Sequence, residues 1–256
     1  MKEIVADLRA EQEALDSFLC TLKDEQWDLQ TPAEGWTVRD SISHIIQFDE
    51  VAVTLINGDY TPLEEAAKIG AGYNDIGIQK GRAMPPSQVL EWWRSIRGEM
   101  DDYLGKIDPK TRIPWFALPM GARAFATARL METWAHGLDC YDAVGVEPVD
   151  TDRLQHVARI AYMARAYAYK ANGLELPDTP VRLELVLPSG KSWNQGPEGA
   201  SDIIRGTVSD FCRVAVRRRH WKDTKLDVIG SEAKRFVEIA QTYAGLPGPG
   251  RKPKNQ

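Results

Sequence analysis

The 256-residue sequence is poor in cysteine, with Cys20, Cys140 and Cys212 odd in number and far apart. They form neither a disulfide framework nor a C-x-x-C site, which points to a reduced compartment. No apolar run approaches the roughly 18 residues that read as a transmembrane helix. The opening MKEIVADLRAEQEAL is charged and lacks the apolar stretch of a signal peptide. Basic residues are not in excess: net charge is −5 and the pI about 5.5. That balance argues against a nucleic-acid binder held by phosphate contacts. Together these absences predict a soluble cytoplasmic protein with neither membrane nor nucleic acid as partner. Histidine is also scarce, with four in the chain, so the position of each is informative.

What is present is ordinary globular material. Apolar residues make up 43% and charged residues 27%, with eight Trp, enough for a sizeable core. The length suits one or two domains. Charge is divided unevenly: up to Asp150 there are 26 acids against 14 Lys and Arg, a net of −12, and the remainder carries +7. Such a step predicts a boundary near residue 150, giving a domain over 1–150 and another over 151–245.

The first half reads as helices. Apolar residues recur at helical spacing over 3–26 (Ile4, Leu8, Leu15, Phe18, Leu19, Leu22). Thr37-Val-Arg-Asp40 has the form of a capping box, opening a helix that runs to Asn57-Gly58. Residues 59–84 are mixed, with a short helix over 63–69. Pro85-Pro86-Ser87 opens a helix over 87–105, and 113–120 is a Pro-broken apolar loop suited to an interface or a lid. A further helix spans 122–144 and stops at Gly145. Four amphipathic helices predict a four-helix bundle. In the second half 151–171 reads as helix and Val181–Leu187 alternates as a strand that turns into 191–195. Residues 203–219 read mostly as helix, 226–229 as a short strand and 231–243 as helix. The tail 246–256 reads as disordered. The fold class expected is α+β: a four-helix bundle followed by a small α+β domain.

His136 lies four residues after Glu132 in Met131-Glu-Thr-Trp-Ala-His136. On a helix, i and i+4 project from one face about a turn apart, so one helix can supply two ligands to one metal. His44 sits mid-helix among residues expected to face the bundle core. Bundles build metal sites from inward side chains on facing helices. A lone core histidine is more often simply hydrogen-bonded. Three polar groups converging in a core are harder to set aside, since burying each unpaired costs a few kcal/mol. Two His and a carboxylate leave coordination positions open and suit Zn²⁺, Fe²⁺, Mn²⁺, Co²⁺ or Ni²⁺, with zinc the default.

Asp40, one turn before His44, fits either the capping box or an acceptor for the His44 imidazole. Asp139 could serve His136 likewise. Cys140 continues the same stripe and reads as a small buried thiol. Trp36, Trp115, Trp134 and Trp193 fit either a pocket lining or core, and His156 and His220 read as structural.

Gly35-Trp-Thr-Val-Arg-Asp40-Ser-Ile-Ser-His44 resembles the W-(S/T)-v-(R/K)-(D/E)-x-x-x-H signature of DinB-like bundles. Glu132-Thr-Trp-Ala-His136-Gly-Leu-Asp139 resembles the E-x-x-x-H-x-x-D motif of the mycothiol-dependent maleylpyruvate isomerase branch. In other DinB-like proteins the Glu position is normally a third His. The resemblance covers essentially the whole chain and implies that His44, Glu132 and His136 bind a divalent metal, usually zinc. It also implies an arginine from the C-terminal domain in the active site. Of Arg213, Arg217, Arg218 and Arg219, alignment favours Arg218, though the run departs from the family's single Gly-Arg and equally fits a basic helix end.

The leading expectation is a metal-dependent enzyme using a low-molecular-weight thiol, mycothiol by resemblance, for isomerisation or S-transfer on a small electrophile. His44 and Arg218 would act in catalysis, His44 through the metal. The alternatives are a metal-dependent hydrolase and a non-catalytic metal- or small-molecule-binding protein.

Overall fold

A computed structural model of the chain describes every residue except 117–118, 244, 246, 249 and 255–256. The chain is α+β and divides into two compact units, Met1–Pro148 and Val149–Gln256.

In the first unit, α1 (Lys2–Leu19), α2 (Val38–Ile56), α5 (Pro86–Lys106) and α6 (Ala122–Val144) form the bundle, with α2 packed on α5 and α6 and α1 on α6 and α5. The start of α2 is fixed by the expected box. Thr37 Oγ1 accepts from Asp40 N (3.2 Å) and Asp40 Oδ2 accepts from Thr37 N (3.0 Å). Ile42, Ile45 and Ile46 on α2 are fully buried beside Trp27, Trp93 and Leu19, each worth roughly 1.5–3 kcal/mol of apolar transfer. Helix α6 is buried over most of its circumference, from Phe125 to Cys140, and Gly145 in the left-handed region (φ 75°) ends it.

The mixed segment contains more helix than expected: α3 (Thr61–Ile69) and α4 (Asp75–Arg82), joined by a 3₁₀ turn. Helix α4 lies directly on α2 because two of its residues have no side chain. A Cβ at Gly81 would stand 1.8 Å from Ser43 Oγ, and one at Gly77 2.6 Å from Gln47 Cβ. Gln47 completes the dock by accepting from Gly77 N (3.1 Å) and donating to Tyr73 O (2.6 Å). Strands β1 (Arg112–Ile113) and β2 (Met120–Gly121) pair antiparallel, bracketing the expected apolar loop. Residues 117–118 of that loop lie outside the described residues.

The second unit opens with α7 (Leu154–Met163) and α8 (Arg165–Ala171), one expected helix interrupted at Ala164. Strands β3 (Val181–Val186), β4 (Ser192–Gln195), β5 (Asp202–Thr207) and β6 (Asp227–Ile229) form one sheet in the order β4-β3-β5-β6. The hairpin β3–β4 is antiparallel, as is β5–β6, whereas β3 and β5 run parallel.

Strand β5 corrects the sequence reading, which continued helix back to 203. Consecutive β-branched Ile203 and Ile204 favour a strand, and Thr207 caps the true helix start by accepting from Asp210 N (3.1 Å). Helix α9 is therefore Val208–Ala215. At the other end of β5, the Asp202 carboxylate takes the N–H groups of Glu232 (2.7 Å) and Ala233 (3.1 Å), the first turn of α10 (Ser231–Ile239). Of the tail expected to be disordered, residues 246, 249 and 255–256 lie outside the described residues. Its Gly248 carbonyl accepts from Arg217 Nη2 (3.2 Å) and its Lys254 N–H donates to Asp223 (3.1 Å).

Candidate metal centre

Three polar side chains meet between two bundle helices. His44 comes from the middle of α2, and Glu132 and His136 from successive turns of α6. One ligand atom from each lies within 4.8 Å of the other two. His136 Nε2 and Glu132 Oε2 are 3.6 Å apart. Two ligands at about 2.0–2.2 Å from one tetrahedral ion stand roughly 3.3–3.6 Å from each other, so this spacing suits a shared ion better than a hydrogen bond. The His44 and His136 rings are 4.9 Å apart and tilted by 59°.

The electrostatics favour a ready anionic ligand. Burial alone would push the Glu132 carboxyl up. The facing His136 imidazole, the Arg129 guanidinium and His44 outweigh it and hold the group at about 2. On its other nitrogen His136 looks at an acid: Nδ1 lies 3.6 Å from Asp139 Oδ2, and the Asp139 side chain is fully buried. That Nδ1 is itself buried and makes no hydrogen bond among the described residues. At that distance the carboxylate acts on the imidazole through its charge rather than through a hydrogen bond. The donor set and its spacing fit a divalent cation.

Aromatic rings surround the triad. Trp36, just before α2, stacks on His136 (5.7 Å, 16°) and tilts against His44 (4.9 Å). Phe48 lies one turn beyond His44 and 4.8 Å from its ring. From Phe48 the aromatic contacts continue to Tyr73, Trp115 and Phe116 at 5.5–6.4 Å. Of the four tryptophans that fitted either a pocket lining or core, Trp36 and Trp115 are near the triad. Trp134 is buried in the first unit, and Trp193 belongs to strand β4 of the second.

The two readings of Asp40 resolve toward the cap. Its oxygens serve Thr37 and take a two-point contact from Arg82, Nε at 2.9 Å and Nη2 at 2.8 Å. Cys140 is buried, its Sγ 4.0 Å from Val38 O. Arg218 lies in the second unit just beyond α9, its Nη1 donating to Val216 O (3.0 Å). Arg213 is tied to Asp150 at 2.5 Å, and Arg217 adopts a left-handed backbone (φ 61°).

Sequence reasoning passed over Arg129 and Asp49. Arg129, one turn before Glu132, donates from Nε to Asp49 Oδ1 (2.8 Å) and from Nη2 to Ile45 O (3.1 Å). Both side chains are buried, 5% and 1% exposed. Burial pushes the Asp49 carboxyl up, and Arg129 offsets part of that. The available signal was a charged residue inside each apolar helix stripe.

Residues 8–141 match the family model of the mycothiol maleylpyruvate isomerase N-terminal domain. Two Mycobacterium tuberculosis proteins, from two strains and both named only as uncharacterized, are 39% identical over 250 residues. The match covers 96% of this chain and 97% of each relative. Among solved structures, a crystal structure of the mycothiol-dependent maleylpyruvate isomerase is similar with a TM-score of 0.56 at 15% identity. It covers 85% of this chain and 89% of that one. A histidine-to-alanine mutant of that enzyme gives 0.55 over the same shares of the two chains. At this identity the structural likeness is one of fold.

Proposed function

This chain belongs to the mycothiol maleylpyruvate isomerase N-terminal domain family, and from that premise we propose that it is a divalent-metal-dependent enzyme. It uses a low-molecular-weight thiol, of the mycothiol kind, for isomerisation or S-transfer on a small electrophilic substrate. The observation that carries this reading is the convergence of His44, Glu132 and His136 within 4.8 Å.

His44, Glu132 and His136 would hold the ion, with zinc the best fit to two imidazoles and a carboxylate. A divalent ion held there would leave open positions at which a thiol is kept as thiolate near neutral pH. The chain's own groups supply the rest. The Asp139 carboxylate lies behind the His136 ring, and Glu132 stays ionised to balance the cation's charge. Trp36 and Phe48 flank the imidazoles and limit water around them. Arg218, assigned through the family motif, is proposed to offset negative charge developing on the substrate.

For an isomerase the chemistry closes on itself. The thiolate adds to an electrophilic alkene carbon of a cis-enoyl acid and the π electrons move onto the conjugated carbonyl. The bond, now single, turns, and expulsion of the thiolate restores the alkene as trans. For an S-transferase the adduct is protonated and released.

The test is an assay of cis-enoyl acids, maleylpyruvate among them, with mycothiol and with no thiol. Conversion that requires the thiol is expected. Conversion that proceeds equally without it would replace this reading with hydrolysis or hydration. Inertness of the metal-loaded protein across the panel would leave a binding protein.

A further inference from the structure

Two of the three ligands sit on α6 and the third on α2, so the metal site is defined by how these helices register. A slip of one residue along a helix moves a side chain by about 1.5 Å, whereas metal–ligand distances tolerate about 0.2 Å. Apolar packing is non-directional and cannot supply that precision by itself. A directional tie is therefore needed close to the ligands.

The Arg129 side chain makes such a tie. It leaves α6 three residues before Glu132 and grips α2 at two points: the Asp49 carboxylate (2.8 Å) and the carbonyl of Ile45 (3.1 Å). Ile45 is the neighbour of His44 in sequence, so the contact fixes the backbone beside one ligand to the helix that carries the other two. A planar guanidinium held by two acceptors restricts both slide and rotation.

Stability does not explain the pair. Removing two charges from water costs several kcal/mol, and buried ion pairs can often be replaced by apolar residues of similar volume with no loss of stability. Attraction to the metal does not explain it either, because a guanidinium beside a cation site weakens cation binding. What the pair provides is geometry.

We propose that Arg129 and Asp49 are positioning residues that set the register of α2 against α6 and thereby the spacing of His44 to Glu132 and His136. The inference rests on the metal reading of that triad.

The test is the paired replacement Arg129→Met with Asp49→Leu, which removes the tie and leaves neither member of the pair buried without the other. Two quantities are read: zinc affinity by competition with a chromophoric chelator, and the thermal midpoint of the metal-free protein. The expected result is a 10–100-fold loss of zinc affinity, the range seen when outer partners of ligands are removed, with the midpoint unchanged or raised. The visible spectrum of the cobalt-loaded protein should also shift. Should the paired variant fail to fold, Arg129→Lys keeps the charge and loses the two-point grip. It is expected to weaken zinc by about tenfold. Wild-type affinity and spectrum in a folded variant would overturn the positioning role while leaving the metal site intact. Absence of metal binding by the wild type would instead remove the metal reading, and this inference with it.

Discussion

His136 Nε2 and Glu132 Oε2 face each other at 3.6 Å across one turn of α6, while His136 Nδ1 looks back at the buried Asp139 carboxylate at the same distance. One imidazole thus lies between two acids, one lining the site and the other behind it.

Glu132 carries a stability consequence that depends on pH. Its carboxyl is depressed from an ordinary 4.5 to about 2. A depressed acid stabilises the fold above its unfolded value, and the contribution is lost as pH falls through the folded one. In the presence of chelator, the wild type should therefore be more stable than Glu132→Gln above about pH 4.5. The gap should close progressively toward pH 2. Denaturant titrations across this range that gave a constant gap would contradict the assigned cause.

Thr37→Ala should cost about 1 kcal/mol of unfolding free energy, since it removes the oxygen that accepts from Asp40 N at the start of α2. Urea unfolding measures it. Asp40 keeps its contacts with Arg82, so metal content should be unchanged. A loss of metal would mean that the capping turn reaches the site.

Gly81→Ala should destabilise by about 1–3 kcal/mol, because the new Cβ would stand 1.8 Å from Ser43 Oγ and push α4 off α2. Adding Ser43→Gly removes the clashing group. The double variant should then be less destabilised than the sum of the two singles, a coupling that a thermodynamic cycle reads directly. Simple additivity would place the clash elsewhere.

Arg218→Ala should retain full metal content and lose about 100-fold in thiol-dependent turnover, the scale for removing one charge-stabilising donor. Arg213→Ala should act mainly on stability, because its partner Asp150 is 15% exposed and left without its cation. Turnover that falls with Arg213→Ala or Arg217→Ala, and is untouched by Arg218→Ala, would move the assignment to one of those arginines.

The bundle and the triad were readable because their signals are local. Glu132 and His136 are one helical turn apart, Thr37-Val-Arg-Asp40 announces α2, and Gly145 marks the end of α6. What escaped depends on distant pairing. Strand β5 is held by direct parallel pairing to β3, with β4 between them in the sequence, and its Ile203–Thr207 segment was read as helix because it runs into α9. Gly77 and Gly81 look like loop glycines in the sequence, yet they are the flat face that lets α4 lie on α2. Arg129 and Asp49 are 80 residues apart, and nothing local to either announces the other. The aromatic wall likewise needs the Trp115–Phe116 loop brought to Phe48. Arg218 came from family resemblance alone.

Elemental analysis decides whether His44, Glu132 and His136 hold a divalent metal. Untagged wild type and His44→Ala, both purified without chelator, are compared. Close to one equivalent of a divalent metal, zinc foremost, is expected in the wild type, with its loss in the variant. Full stoichiometry in His44→Ala would show that the ligands lie elsewhere. No metal in either protein, even after incubation with zinc, iron or manganese, would reduce the three residues to polar groups within the bundle core.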